Sequence, residues 1–338
     1  MRHFLRMVAC AAALASIFAC NKLNEPQVNA PEESSPLTKA VVDNAPIMAV
    51  YVETNDVNPL NAGDYTVNDG QPFVDIVELF ASNIHKETVN GQVRPTLYLN
   101  DKLANILENG GVEKYVWPLQ EKGIKVLLTT LGDHQQIGHA SMNPTQAEQF
   151  ATILAAVVYH YGLDGIGFDD EYSDAYSTNS TSYSNILLSL REQLDAMGEG
   201  YLMTVFDWGA TNTISSAAAA CVDYAYHGYF GSYYTYKRFS LPNSKWSPLS
   251  FNLGSGVSQS AAQTNAMKAK NEGYGAMMCF NLRTRNDVDP MSAFQGISNG
   301  AYGGLEVFCS NGNRSRDVVI DPDGFTITYD MALEWLAQ

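Results

Sequence analysis

The sequence predicts an α/β protein whose parallel strands close into a (β/α)8 barrel, irregular in places, with a small C-terminal addition. Three observations carry that expectation. From Pro46 to Asn281 short β-type runs alternate with helical segments, and eight such runs can be counted. No glycine-rich phosphate loop follows the first run, which argues against an open dinucleotide-binding sheet. A closed barrel of this kind takes about 250 residues, which fits inside a chain of 338.

Taken in order, Ile47–Glu53 (IMAVYVE) is the first strand, and the stretch from Phe73 to Ile84 holds the second. Helical periodicity runs from Asp101 to Lys122, stops near Gly123 and leads into the third strand, KVLLTTL, from Lys125 to Leu131. Asn143 and Pro144 open the next helix as N-cap and first helical residue. That helix reaches about Tyr161 and feeds the fourth strand, Leu163 to Glu171. A helix over Ser182–Met197 precedes the fifth strand, Tyr201 to Asp207, and Val222 to Phe230 is the sixth. Leu249 to Leu253, a helix over Ser258–Asn271, and Tyr274 to Asn281 complete the set. The connections after the fifth and sixth strands are too short, or too polar and aromatic, for full helices, so some helices should be shortened or missing. The barrel domain is expected over residues 46–299, and residues 300–338 read as a β-rich addition with a short helix.

The first 19 residues carry Arg2 and Arg6, then an apolar run from Met7 to Ala19, then Cys20. Thirteen apolar residues are short for a bilayer span; they read as the core of a secretory leader. Ile17-Phe18-Ala19-Cys20 resembles a bacterial lipobox, in which the cysteine becomes the lipidated N-terminus. An ordinary secretory leader with an incidental cysteine is the alternative. Either way the expected location is the envelope of a bacterium, by lipid anchor at the outer membrane or cell surface. Residues 20–45, rich in Pro, Glu, Asn and Ser, read as a flexible tether. Leader removal leaves 18 basic against 36 acidic side chains, a net −18. That charge argues against a nucleic-acid partner, which calls for a basic stripe. Cys221, Cys279 and Cys309 then remain, an odd number without metal-ligand spacing. No metal or cofactor is expected, and the protein is expected to be a monomer.

The chemistry concentrates on the fourth strand, LDGIGFDDEY from Leu163 to Tyr172. Strand side chains alternate, so Gly167, Asp169 and Glu171 share one face while Phe168 and Asp170 take the other. Two carboxyls on the inner face at the C-terminal end of a barrel strand lie where barrel active sites are built. Their mutual repulsion should raise the pKa of one, as a general acid requires. A solvated acidic strand end is the plain alternative.

This segment resembles the DGxDxDxE signature of glycoside hydrolase family 18, and its YGLDG…FDDEY form (Tyr161 to Tyr172) is similar to that of endoglycosidase H and the F-type endoglycosidases. YVETN (Tyr51–Asn55), FASNI (Phe80–Ile84), GIKVLLTTLGDHQ (Gly123–Gln135), YAYHGYFG (Tyr224–Gly231) and EGYGAMMCFNL (Glu272–Leu282) follow in the order those enzymes show, so the resemblance covers residues 46 to 298. It implies a TIM-barrel endo-β-N-acetylglucosaminidase that cuts the GlcNAc-β1,4-GlcNAc bond of the N-glycan core. Hydrolysis would be substrate-assisted with retention, the sugar's own acetamido oxygen attacking to give an oxazolinium ion. By position, Glu171 would be the acid and then the base, Asp169 would orient the acetamido group, and Tyr229 would hold its oxygen.

Two residues depart from the pattern: Gly167 where an inward Asp is expected, and His227 where the endoglycosidases commonly carry Asn. They favour a rival reading, a surface glycan-binding lipoprotein with weak or no catalysis, which Asp169, Glu171 and Tyr229 oppose. A chitinase is disfavoured, because Gly254 to Gly273 leaves no room for the subdomain that chitinases of the family often insert there. Glu53, Asn83, His134, Asp207, Trp208 and Asn281 fall at or just past strand ends and are further substrate-binding candidates with His227; a structural role stays open for each. The aromatic run from Tyr226 to Tyr236 offers faces for stacking on sugar rings, or simply for packing its own loop.

Overall fold

The structure, a computed structural model, describes residues 42, 45–67, 70–174, 179–282, 290–311 and 323–338. The leader (1–19), Cys20 and nearly all of the tether expected over 20–45 lie outside the described residues.

Nine parallel segments make eight staves of a nearly closed barrel: β1 (Ile47–Glu53), β2 (Ile76–Val89), β3 (Lys125–Gly132), β4 (Gly165–Phe168), β5 (Leu202–Asp207), β6 (Tyr224–His227), β7 in two pieces (Trp246–Ser247 and Ser250–Asn252) and β8 (Ala276–Phe280). Each stave pairs with the next in parallel from β1 to β6, and β8 returns to β1 with Ala49 opposite Met278. The seventh stave is stepped: its first piece pairs with β6 and its second with β8. Pro248, with no N–H to give to a ladder, lies at the step.

Helices α1 (Asp101–Leu107), α2 (Trp117–Gln120), α3 (Pro144–Tyr161), α4 (Ser182–Met197), α5 (Ser216–Ala220), α6 (Gln259–Asn271), α7 (Pro290–Ala301) and α8 (Tyr329–Leu336) follow. Asn143 caps α3 by accepting from the Gln146 amide at 3.0 Å, and Gln146 answers by accepting from the Asn143 amide. The single helix expected from Asp101 to Lys122 is instead broken after Leu107. Asn109 and Gly110 both take positive φ, the turn chemistry that ends α1 before a one-turn π-helix (Val112–Val116) and α2. Among the described residues, β1 and β2 are joined without an α-helix and β5 and β6 by the five-residue α5, as the short connections implied for the second of these.

β2 runs past the barrel rim, turns at Asn90-Gly91 and returns antiparallel as Gln92–Leu99. The C-terminal segment closes on this hairpin. Phe325–Ile327 pairs with Leu97–Leu99, and α8 lies on α3 with Trp335 stacked on His160 at 3.9 Å. Val307–Cys309 pairs with Tyr65–Val67. Residues 299 and 300 both belong to α7, so no structural break falls at that point.

The core has two parts. Outward-facing strand residues such as Val50, Val77, Leu128, Ile166, Val205 and Ala225 meet the helices. Inside the barrel lie Ala49, Tyr51, Ile76, Leu127, Phe206, Tyr226, Ala276 and Met278. Each large buried side chain contributes roughly 1.5–3 kcal/mol of transfer free energy. The C-terminal strand ends are thus held on a rigid packed frame, where loops carry the chemistry.

Candidate active site

The acidic segment begins where β4 ends. Asp169 N still donates to Thr130 O at 3.0 Å, Glu171 O accepts from Gly132 N at 3.0 Å, and Tyr172 O accepts from His134 N at 2.6 Å. The chain therefore stays tied to the end of β3 through the whole acidic run, although β4 itself ends at Phe168. A Cβ on Gly132 would overlap the Glu171 carbonyl oxygen, so the close approach needs glycine there. Tyr172 follows with φ +55°, an uncommon conformation for an aromatic residue that re-aims the chain directly after Glu171.

The two faces differ in chemistry. Asp170 turns outward into a buried polar pocket, where it accepts from Ala210 N at 2.8 Å and lies 3.6 Å from His139 Nδ1. His139 Nε2 is 2.8 Å from Thr130 Oγ1. These partners hold the Asp170 carboxyl below its ordinary pKa in spite of burial. Asp169 turns inward, is 3% exposed, and its Oδ1 has no hydrogen-bond partner among the described residues. Burial first, then the charges of Glu171 and Asp170, push its pKa well up. Glu171 is half-buried, and burial followed by the Asp170 charge raises its pKa as well. Two carboxyls that resist ionisation at the mouth of a barrel are equipped to hold and deliver a proton.

A second wall comes from β5 and β6. Asp207, buried, stands in register with His227. It accepts from the Thr211 hydroxyl and, at 3.2 Å, from Arg238 N, while burial outweighs these partners and raises its pKa. His227 is buried, stacks on Tyr234 at 5.0 Å, and neither ring nitrogen has a hydrogen-bond partner among the described residues. Burial, helped by the Arg238 charge, lowers its pKa to about 4, so the ring is neutral over the physiological range. Tyr229, 47% exposed, stands edge-on to Trp208 at 5.2 Å, and the Arg238 guanidinium covers the other ring at 5.8 Å. Tyr229 follows β6 and Asp169 follows β4, two staves apart in the sheet order.

The remaining candidates ring the same end. Glu53 ends β1 and accepts from Asn55 Nδ2 at 2.8 Å; its charge, with those of Glu171 and Asp169, acts on the Tyr172 hydroxyl. Asn281 follows β8 and donates its amide to Tyr51 O at 3.1 Å. Asn83 gives its side-chain amide to Gly132 O at 3.3 Å, an anchor between β2 and β3. His134 is exposed and bonded through Nδ1 to Asp174 at 2.6 Å. Sequence reasoning passed over Tyr172 and Arg238, which touch the acidic pair's surroundings and Trp208, because nothing in the linear pattern marks them. It also passed over Glu78, a lone carboxylate on the inner alternation of an apolar strand, which was a readable signal.

A model of the EndoS TIM-barrel domain, an endo-β-N-acetylglucosaminidase domain, matches residues 74–247. The chain is 36% identical over 72% of its length to an endo-β-N-acetylglucosaminidase of Flavobacterium sp., covering 77% of that protein. It is 34% identical over 79% of its length to endo-β-N-acetylglucosaminidase F1 of Elizabethkingia meningoseptica, covering 81% of it. The chain belongs to the endo-β-N-acetylglucosaminidases of glycoside hydrolase family 18. Among solved structures it is similar to EndoBT-3987 of Bacteroides thetaiotamicron, crystallised with Man5GlcNAc product, at a TM-score of 0.66 and 26% identity, covering 82% of this chain and 66% of that one.

Proposed function

We propose that this endo-β-N-acetylglucosaminidase hydrolyses the GlcNAc-β1,4-GlcNAc bond of N-glycan cores by substrate-assisted retaining catalysis. The observation that carries the reading is the pair of carboxyls just past the end of β4, Asp169 and Glu171, both held above ordinary carboxyl pKa values. Glu171, the more accessible, delivers its proton to the leaving glycosidic oxygen as the acetamido oxygen of the same sugar closes on the anomeric carbon. Asp169 orients the acetamido N–H and balances the charge of the oxazolinium. The ionised Glu171 then takes a proton from water, which opens the ring with net retention. Tyr229 holds the acetamido oxygen through its hydroxyl, Trp208 supports that ring edge-on, and Glu53, Asn83, His134, Asp207, His227 and Asn281 line or brace the cleft. The solved relative with a Man5GlcNAc product supports a mannose-bearing glycan as the substrate to test first.

The same proposal places the enzyme at the bacterial envelope as a monomer, anchored only through lipid on Cys20 and held off the membrane by the tether. The apolar run ending at Cys20 supports this. Fatty-acid labelling of cells should mark the wild type; equal labelling of Cys20→Ala would remove the anchor from the proposal.

Incubation with a high-mannose glycoprotein should leave the protein carrying a single GlcNAc by mass spectrometry. Glu171→Gln keeps shape but cannot deliver a proton, so turnover should drop at least about a hundredfold, while glycan binding largely survives. A wild type that binds glycan without cleaving it would favour the binding-only rival.

A further inference from the structure

The inward series of β4 begins with a residue that has no side chain, yet the space beside it is filled. A Cβ on Gly167 would overlap Glu78 Oε2 and come within 3.0 Å of Thr129 Oγ1. Glu78 comes from β2 and is fully buried inside the barrel. Both of its oxygens are held: Thr129 Oγ1 donates to Oε2 at 2.9 Å, and Thr204 Oγ1 donates to Oε1. The two threonines belong to β3 and β5, the staves flanking β4, so the carboxyl is pinned across β4 at the level of Gly167.

Filling space does not explain the choice of residue. A leucine or methionine would pack there without the cost of burying an ionisable group, and no cation pairs with Glu78 among the described residues. Burial lifts its pKa to about 7 despite the two donated hydrogen bonds. Tyr51 lies in the same interior cluster, and burial first, then the charges of Glu78, Tyr226 and Asp169, raise the pKa of its hydroxyl. The Tyr51 hydroxyl and Asp169 Oδ1 are both buried without a hydrogen-bond partner.

We propose that Glu78 is a positioning residue for the catalytic pair, supplying from β2 the second interior carboxyl that β4 lacks at Gly167. Pinned at the level of Gly167, two residues before Asp169, it fixes the interior layer on which Asp169 is held. The inference rests on the assignment of Asp169 and Glu171 above.

The test compares full-length Glu78→Gln, Glu78→Ala, Gly167→Asp and the double variant Glu78→Ala/Gly167→Asp with the wild type, measuring kcat and KM on a high-mannose glycopeptide from pH 5 to 9 alongside thermal melts. Glu78→Gln should lower kcat at least tenfold with KM within threefold, and should shift or remove the inflection near neutral pH. Gly167→Asp alone should be impaired, because two carboxyls compete for one space. The double variant should recover at least tenfold in kcat over Glu78→Ala, since a carboxyl returns to the same place from the neighbouring strand. Glu78→Gln with wild-type kcat and pH profile would overturn the proposal, as would a folded double variant no faster than folded Glu78→Ala. Should Glu78→Ala fail to fold, the Glu78→Gln profile decides alone. Glu171→Gln, run in parallel, separates the two levels: full activity there discards the catalytic assignment itself, whereas its loss beside an unaffected Glu78→Gln discards only the role of Glu78.

Discussion

Three adjacent acidic residues at one strand end sit in different surroundings, and their pKa shifts follow from those surroundings. Asp170 is drawn below its ordinary pKa by His139 and the Ala210 amide, which makes it a structural anion behind the site. Asp170→Asn should therefore cost stability, on the order of 1–3 kcal/mol for disturbing a buried polar pair, and thermal melts should register more of the damage than kcat does. Asp169→Asn should do the reverse, slowing turnover while the fold persists. His227 illustrates an effect that residue identity alone cannot convey. A histidine where an asparagine is usual suggests pH sensitivity, but burial and Arg238 hold its pKa to about 4, so it is a neutral ring at working pH. His227→Asn is expected to leave the pH profile of kcat/KM unchanged between about 5.5 and 8. A displaced acid limb in the wild type relative to this variant would show that the imidazole titrates during catalysis.

At the scale of elements, period and punctuation made the barrel legible. β1 spans the IMAVYVE run, and α3 begins at its Asn-Pro cap and ends at Gly162 in the left-handed region. What was not legible depends on partners distant in sequence. The Asn90-Gly91 turn is a strong hairpin signal, but only pairing with Gln92–Leu99 shows that β2 continues far outside the barrel. The seventh stave's step likewise depends on two neighbours with different registers. The buried, inward placement of Asp169 was legible because alternation needs no tertiary information, whereas Arg238 reaches Trp208 and Asp207 from a loop whose course the sequence does not specify. Element-level dependence of the site can be tested at the β3 rim. Gly132→Ala introduces a Cβ into the space of the Glu171 carbonyl oxygen, so the acidic segment must move. Activity should fall at least about tenfold, a misplacement effect of the kind that sub-ångström positioning governs, with a lower melting temperature. A variant with wild-type kcat would show that the β3–β4 contact does not position Glu171.

For the molecule as a whole, the interior carboxyl of Glu78 links catalysis to stability with a definite sign. Its pKa is near 4.5 in the unfolded chain and about 7 in the folded one, so between these values the native state binds more protons than the unfolded state. Stability from this group therefore declines as pH rises through that window. The full difference, on the order of 3 kcal/mol, is reached only above about pH 7. Glu78→Gln is never charged and escapes the decline. Relative to the wild type its melting temperature should rise with pH between about 4.5 and 7 and level off above, with a change on the order of 5 °C across the window. His227, whose depressed pKa penalises protonation of the folded state at acid pH, is present in both proteins and cancels from the difference. If Glu78 served only to fill the barrel, a variant more stable at neutral pH would be at least as good an enzyme. The expected outcome is instead a protein that is more stable at pH 7 and slower, the pattern of a group retained for function at a cost in stability. A melting-temperature difference that stays flat with pH would show that Glu78 has the same proton affinity in both states, and that its burial in the barrel does not oppose its ionisation.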